Sequence, residues 1–168
     1  LARDEPEVMA RSAWGLACKD FIRLRLTGEM QTDPTDASGG GLMDLGRGSY
    51  STPVLEAFGH PELRAKLPPI VGSAAAGVRV SAEAAAQTGL PVGLPVAGGM
   101  MDVAACALGA GVTTHDRLVM IAGTWAINGM EVDGASAAPA PILNMIYRDG
   151  ATRLVAEGSP SSAANLGW

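Results

Sequence analysis

The sequence is poor in the side chains that most often bind metal ions or form disulfides. Its 168 residues include two cysteines, Cys18 and Cys106, and two histidines, His60 and His115. The cysteines lie far apart in apolar stretches without Cys-x-x-Cys spacing, so we expect two buried, reduced thiols in a cytoplasmic protein. Two histidines make a zinc site improbable, and we expect both at the surface; no metal ligand is assigned from the sequence.

Charge is also sparse, and the excess is acidic. Asp, Glu, Lys and Arg make up 17% of the residues, and the formal net charge is −5. No basic stripe is present, which argues against nucleic acid or an anionic membrane as a partner. The longest uncharged run, residues 84–101, is interrupted by prolines and glycines, unlike a membrane-spanning helix. The 48% of hydrophobic residues is enough for a folded core.

The first two thirds of the chain read mainly as helices. An amphipathic helix is predicted to end at Gly28, with an apolar side made of Phe21, Ile22, Leu24 and Leu26. A second helix has Ser81 as its N-cap and Gly89 as its C-cap. The segment 94–99 is predicted to be a short buried strand.

The pattern changes near residue 112, where strands replace helices. Two strands are predicted on either side of Gly123, and a hairpin is predicted to turn at Asp149-Gly150. A helix is then predicted to begin at Ser159. This change from predicted helices to predicted strands indicates a domain boundary near residue 112.

A single carboxylate stands between a glycine pair and a helix in the segment VAGGMMDVAACALGAG, residues 96–111. Asp102 stands where acidic side chains commonly act as helix N-caps, a role that needs no function. The alternative is chemical. Glycines let a ligand or another chain approach the backbone closely, and a carboxylate at the lip of a cleft can accept a proton from a substrate hydroxyl. The residue pattern alone leaves both roles open.

The segment AGTWA, residues 122–126, is a second candidate for a site. A tight turn at Gly123 and Thr124 can present backbone N–H groups and a hydroxyl to phosphate oxygens. The alternative is an ordinary hairpin turn.

The polar segment TDPTDASGG, residues 32–40, contains two carboxylates at short spacing. Asp33 and Asp36 can be read as a metal pair or as part of a capped, hydrogen-bonded loop. We favour the loop because no third ligand follows at suitable spacing. No lysine follows the glycines, which excludes a P-loop.

Taken in order, four segments resemble the FGGY carbohydrate kinases. They are KDFIRLRLTGE, TDPTDASGGGLMDL, TGLPVGLPVAGGMMDVAACALGAG and AGTWA, and they span nearly the whole chain. The segments GGMMDV, GTWA and EGSPSSAANLGW are most similar to the L-xylulose kinase branch, with erythritol kinases as near relatives.

The resemblance implies an α/β fold of the actin-like ATPase (ribonuclease H-like) type, with parts of two domains. Residues 1–112 would be the C-terminal part of the sugar-binding domain, and residues 113–168 the N-terminal part of the ATP-binding domain. The expected activity is phosphorylation of a small sugar or polyol, a pentulose such as xylulose or else erythritol, by ATP with Mg²⁺. A homodimer is a possible assembly. The chain would be an internal piece of a longer protein and inactive alone.

The resemblance also assigns roles to individual residues. Asp102 matches the catalytic aspartate, and Gly123 and Thr124 match the turn that contacts ATP phosphates. Many relatives have Asn or Gln, contacting the sugar, where this chain has Val103; the change removes one hydrogen-bonding group and is compatible with the L-xylulose kinase branch. Relatives often have glycine where this chain has Ala163, in the segment that approaches the nucleotide. A non-catalytic actin-like module that binds sugar or nucleotide is the alternative, and a scaffold without a ligand is a third reading.

Overall fold

A computed structural model of the protein describes residues 4–123, 125–134, 143–148 and 150–159. Within these ranges the helices are α1 (Pro6–Arg11), α2 (Cys18–Thr27), α3 (Pro34–Gly39), α4 (Thr52–Ala57), α5 (Ala82–Thr88) and α6 (Asp102–Gly109), with a 3₁₀ helix at Pro61–Lys66. The strands are β1 (Met43–Asp44), β2 (Ser49–Tyr50), β3 (Val78–Arg79), β4 (Pro95–Val96), β5 (Leu118–Ala122), β6 (Ala126–Asp133), β7 (Leu143–Ile146) and β8 (Thr152–Ser159). No helix of these ranges combines the length and hydropathy needed to cross a membrane.

The chain forms two compact units, each built from two separate segments. The first unit contains residues 1–32 and 50–98, and the second contains residues 33–49 and 99–168. The predicted division into parts of two family domains at residue 112 stays a prediction.

The first unit is mainly helical, as the sequence predicts. Helix α5 begins after Ser81, whose hydroxyl oxygen accepts a hydrogen bond from the Ala84 N–H at 3.1 Å, and ends at Gly89 with φ 77°. Both caps are therefore confirmed. The short strands β3 and β4 pair antiparallel. The prediction of a buried strand at 94–99 is wrong in its burial, because Pro95 is exposed and Val96 only half-buried.

Helix α2 ends at Gly28 as predicted, but the predicted apolar side is wrong for two of its four residues, since only Leu24 and Leu26 are half-buried. Phe21 and Ile22 are 55% and 60% exposed, whereas Asp20 and Arg23 are buried. The buried charges have partners: Lys19 Nζ lies 2.6 Å from Asp20 Oδ1, and Arg23 donates to the side-chain oxygen of Gln31. Pairing makes the burial of these charges tolerable, and the spacing of apolar residues does not reveal it.

The second unit is an antiparallel sheet with α6 packed on it. The strand order is β5-β6-β8-β7, and every pairing is antiparallel. The predicted strands on either side of Gly123 and the predicted hairpin are confirmed, with Gly150 at φ 78° in the turn. Asp149 and residues 160–168, which include the predicted helix and Ala163, lie outside the described residues. Ser159 is the last residue of β8.

Small side chains in the core of the second unit explain how closely helix α6 approaches the sheet. Ala104 and Ala107 of α6 are fully buried. Their methyl groups pack in a cluster with Val103 of the same helix and with residues of the strands and of the connecting segments: Val112, Val119, Met145, Tyr147 and Leu154. Small side chains let the helix axis lie near the sheet, so the first turn of α6 borders β5 and β6.

Candidate active site

Asp102 is the first residue of α6 and lies at the surface of the second unit. The N-cap residue is Met101, and α6 has no side-chain cap, so the alternative role of Asp102 as the N-cap is wrong. Its Oδ1 atom instead accepts a hydrogen bond from the Val103 N–H at 2.7 Å. The other carboxylate oxygen is in none of the described hydrogen bonds, and the side chain is exposed. A carboxylate in this position is accessible to a ligand.

The glycine pair before Asp102 permits a close approach of the backbone, as the sequence predicts. A Cβ atom on Gly98 would lie 2.5 Å from the Gly72 carbonyl oxygen and 2.9 Å from that of Ser73. Gly99 has φ 81°, a conformation that favours glycine. At Gly98 the approaching group is therefore another segment of this chain.

A cavity of about 240 Å³ borders Asp102. Its remaining lining consists of Val103, Cys106, Ile121, Trp125 and Ile127. Ile121 and Ile127 are opposite each other in the β5–β6 ladder. A second cavity of similar volume also contains Val103, Trp125 and Ile127 in its lining. The cavity beside Asp102 thus presents a mainly apolar surface with one carboxylate at its edge, which suits a small molecule that carries hydroxyl groups and C–H faces. The second cavity is also mainly apolar and has Glu157 in its lining.

The turn predicted to bind phosphate connects β5 to β6, and it is only partly described. The Gly123 N–H donates to the Trp125 carbonyl oxygen at 3.1 Å, which closes the turn. Thr124 lies outside the described residues. Ile121 and Trp125, on the two sides of Gly123, both line the cavity beside Asp102. The structure therefore brings Asp102 near the strand ends that carry this turn.

Buried polar groups hold the segment that follows α6. The Tyr147 hydroxyl donates to the Val112 carbonyl oxygen at 2.8 Å, and Arg148 donates to that of Thr113 at 3.1 Å. Arg148 also pairs with the fully buried Glu131, with Nη2 and Oε1 2.9 Å apart. Burial, with a smaller effect from the Glu131 charge, raises the pKa of Tyr147. These contacts fix the C-terminal end of α6 against the sheet.

Asp33 is a helix cap, which confirms the favoured interpretation, although the predicted loop forms the short helix α3. Its carboxylate accepts hydrogen bonds from the N–H groups of Thr35 at 3.0 Å and Asp36 at 3.3 Å. Among the described residues, no group of three or more His, Cys, Asp or Glu could hold a metal ion.

Both cysteines are free, but the prediction that they are buried is wrong. Cys18 begins α2, and Cys106 lies one turn after Asp102 on the same exposed side of α6. The histidines are partly exposed, as predicted, and each lies near a carboxylate: His60 is 3.1 Å from Glu62, and His115 is 3.3 Å from Asp133.

Sequence reasoning missed the residues that line the cavity with Asp102. Trp125 is 51% exposed and lines both cavities, yet the pattern AGTWA led to a predicted role for Gly123 and Thr124 only. The sequence signal that could have indicated Trp125 is an aromatic residue directly after a tight turn, because its side chain then lies at the end of a strand. Cys106 shares the exposed side of α6 with Asp102 because the two are four residues apart.

The comparisons with known proteins agree on one family. Residues 1–109 match the N-terminal domain of the FGGY family of carbohydrate kinases. A probable L-xylulose kinase of Pasteurella multocida is 34% identical over 169 residues, covering 100% of this chain and 35% of that protein. An erythritol kinase of Brucella abortus is 42% identical over 107 residues, covering 64% of this chain and 20% of that protein.

The solved structures agree with the sequences. The crystal structure of xylulose kinase from Rhodospirillum rubrum superposes with a TM-score of 0.87 at 29% identity, over 99% of this chain and 34% of that one. The chain thus spans about a third or less of the length of these proteins. The likeness to sugar kinases of the actin-like ATPase type confirms the predicted α/β fold class. The chain belongs to the FGGY family of carbohydrate kinases.

Proposed function

We propose that the complete protein phosphorylates a small sugar or polyol with ATP, and that Asp102 is the general base. The observation that carries the proposal is the exposed carboxylate of Asp102 at the edge of a small, mainly apolar cavity. Relatives named as L-xylulose kinase and erythritol kinase indicate the substrate class, a pentulose such as xylulose or a tetritol.

In the proposed reaction, a substrate hydroxyl lies against Asp102. The carboxylate accepts the hydroxyl proton as the oxygen attacks the γ-phosphorus of ATP, the bond to the β-phosphate oxygen breaks, and ADP leaves. The turn of Gly123 and Thr124 would contact the phosphates through backbone N–H groups and the threonine hydroxyl.

Mg²⁺ would accompany the nucleotide in the usual way for phosphoryl transfer. The described residues supply no cluster of metal ligands, and we derive no step from a protein-held metal. A cytoplasmic location fits the two free cysteines, since thiols persist in a reducing compartment. A homodimer is a further part of the proposal, and sedimentation of the complete protein tests it.

The test is a coupled assay of ADP release by the complete protein, with product identified by mass spectrometry. Sugars and polyols, including L-xylulose and erythritol, are supplied one at a time with ATP and Mg²⁺. We expect ADP and a phosphorylated product in equal amounts with at least one acceptor. Binding of sugar or nucleotide without transfer to any acceptor would contradict the proposal and favour the non-catalytic module.

A further inference from the structure

Two hydroxyl groups of α3 reach two other elements of the second unit. Thr35 and Ser38 are three residues apart, so their side chains lie on the same side of the helix. The Ser38 Oγ accepts a hydrogen bond from the Ile146 N–H of β7 at 2.9 Å. The Thr35 Oγ1 accepts one from the Met101 N–H, directly before α6, at 2.7 Å. Helix α3 therefore connects the sheet to the start of α6.

The direction of each hydrogen bond around Thr35 is determined by chemistry. The Thr35 hydroxyl donates its single proton to Asp33 Oδ2 at 2.7 Å, because a carboxylate oxygen can only accept from it. The hydroxyl oxygen is then left as the acceptor for the Met101 N–H. Asp33 and Thr35 are both 0% exposed, so water does not compete for these bonds.

Apart from the packing of Val103 and Ala104 in the core, few described polar contacts hold the first turn of α6. No side chain caps this helix, and Asp102 bonds only to the N–H of the next residue in the described structure. The fit around Met101 is nevertheless tight, since a Cβ atom on Gly39 would collide with Met101 Sδ. The Thr35 hydroxyl therefore fixes the backbone one residue before Asp102, through its hydrogen bond of 2.7 Å from the Met101 N–H.

We propose that Thr35 is a positioning residue for phosphoryl transfer, holding the Asp102 carboxylate in place through the Met101 N–H. The inference rests on the proposed function and deepens it. A general base must lie within hydrogen-bond reach of the proton it accepts, and a displacement of about 1 Å can lower a rate by about 10²-fold. Asp33 contributes by orienting the Thr35 hydroxyl.

The test compares three variants of the complete protein. Thr35→Val keeps the branched shape and removes the hydroxyl, Thr35→Ser keeps the hydroxyl, and Ser38→Ala removes the other α3 hydroxyl as a matched control. For Thr35→Val we expect kcat to fall by about tenfold or more, with the KM for ATP changed by less than about twofold. Thr35→Ser should retain kcat within about threefold, and Ser38→Ala should lower the melting temperature with kcat retained.

A double-variant cycle separates positioning from general destabilisation. If Thr35 acts through Asp102, adding Thr35→Val to Asp102→Asn should lower kcat by less than about threefold, because the group being positioned is already absent. The same loss of kcat in both backgrounds, or an unchanged kcat in Thr35→Val alone, would overturn the inference. Should Thr35→Val melt below the assay temperature, Thr35→Cys replaces it under the same criteria, since a thiol is a weak acceptor.

The outcomes also distinguish this inference from the proposed function. A wild-type protein that phosphorylates no sugar or polyol refutes the function, and full activity in Asp102→Asn refutes the general base. An active wild type, an impaired Asp102→Asn and an unaffected Thr35→Val refute the role of Thr35 alone.

Discussion

The substitution Asp102→Asn separates the proposed chemical role of this residue from its structural one. The structure shows one intramolecular hydrogen bond of the carboxylate, from the Val103 N–H to Oδ1 at 2.7 Å. An asparagine side-chain oxygen can accept the same bond. The amide has the shape of the carboxylate but cannot accept a proton from a substrate hydroxyl. The variant therefore changes the proton chemistry and leaves the helix start nearly intact.

The two expected magnitudes differ enough to be decisive. An exposed negative charge in the first turn of a helix contributes about 0.3–1 kcal/mol, so the free energy of unfolding should fall by less than about 1 kcal/mol. Loss of general base catalysis should lower kcat by about 10²–10⁴-fold, equivalent to about 2.7–5.4 kcal/mol in the barrier. A residue that only supports the helix would show the first effect without the second.

The assay is turnover of the complete protein at saturating ATP and acceptor, with a thermal melt of each sample. Asp133→Asn is the matched control, because it removes a carboxylate that is 81% exposed and lines neither cavity of the second unit. We expect the control to retain its kcat. Full turnover in Asp102→Asn would refute the catalytic assignment, whatever the melt shows.

The remaining predictions address the turn, the glycines, an ionisable group and the extent of the chain. Thr124→Val in the complete protein should raise the KM for ATP or lower turnover while the KM for sugar changes little; if ATP kinetics are unchanged, Thr124 is only a turn residue. Gly98→Ala should destabilise by about 1–3 kcal/mol in chemical denaturation because its Cβ would meet backbone carbonyls, whereas Gly77→Ala, with nothing within 4 Å, should change stability by less than about 1 kcal/mol. Burial raises the pKa of Tyr50 from 10.0 to about 12, so its contribution to stability is complete below pH 10 and declines as the pH rises to 12; Tyr50→Phe should make unfolding free energies less dependent on pH in that range, and an identical slope would contradict this. The isolated 168-residue chain should not phosphorylate any sugar or polyol, since it spans 35% of a relative's length, and turnover by it alone would disprove that expectation.

Local signals were sufficient to predict most of the elements. Ser81 and Gly89 mark the ends of α5 because a hydroxyl that accepts an N–H and a glycine at positive φ act within one turn of the helix. Gly123 separates β5 and β6 within a tight turn, where its N–H donates to the Trp125 carbonyl oxygen two residues away. Such signals depend on neighbours a few residues away, and a single sequence contains them completely.

The buried side of α2 shows where local reasoning fails. Apolar spacing assigned Phe21 and Ile22 to the core, yet the helix buries Asp20 and Arg23. Which side is buried depends on the partners that compensate the charges. For Arg23 the partner is Gln31, eight residues away beyond the end of the helix. The periodicity of hydrophobic residues carries no information about such a partner.

For the site, the sequence indicated Asp102 but not what surrounds it. The resemblance pointed to the residue, whereas the cavity depends on how closely α6 approaches β5 and β6. Ala104 and Ala107 are 0% exposed, and a larger side chain at either position would push the helix from the sheet. These small residues therefore bring Asp102 to the edge of the cavity that Trp125 lines. Alanines on one side of a helix thus indicate that the helix packs closely on its neighbour, so that residues on the adjacent side of the helix lie near that neighbour. The proposed chemistry of Asp102 depends on this close packing.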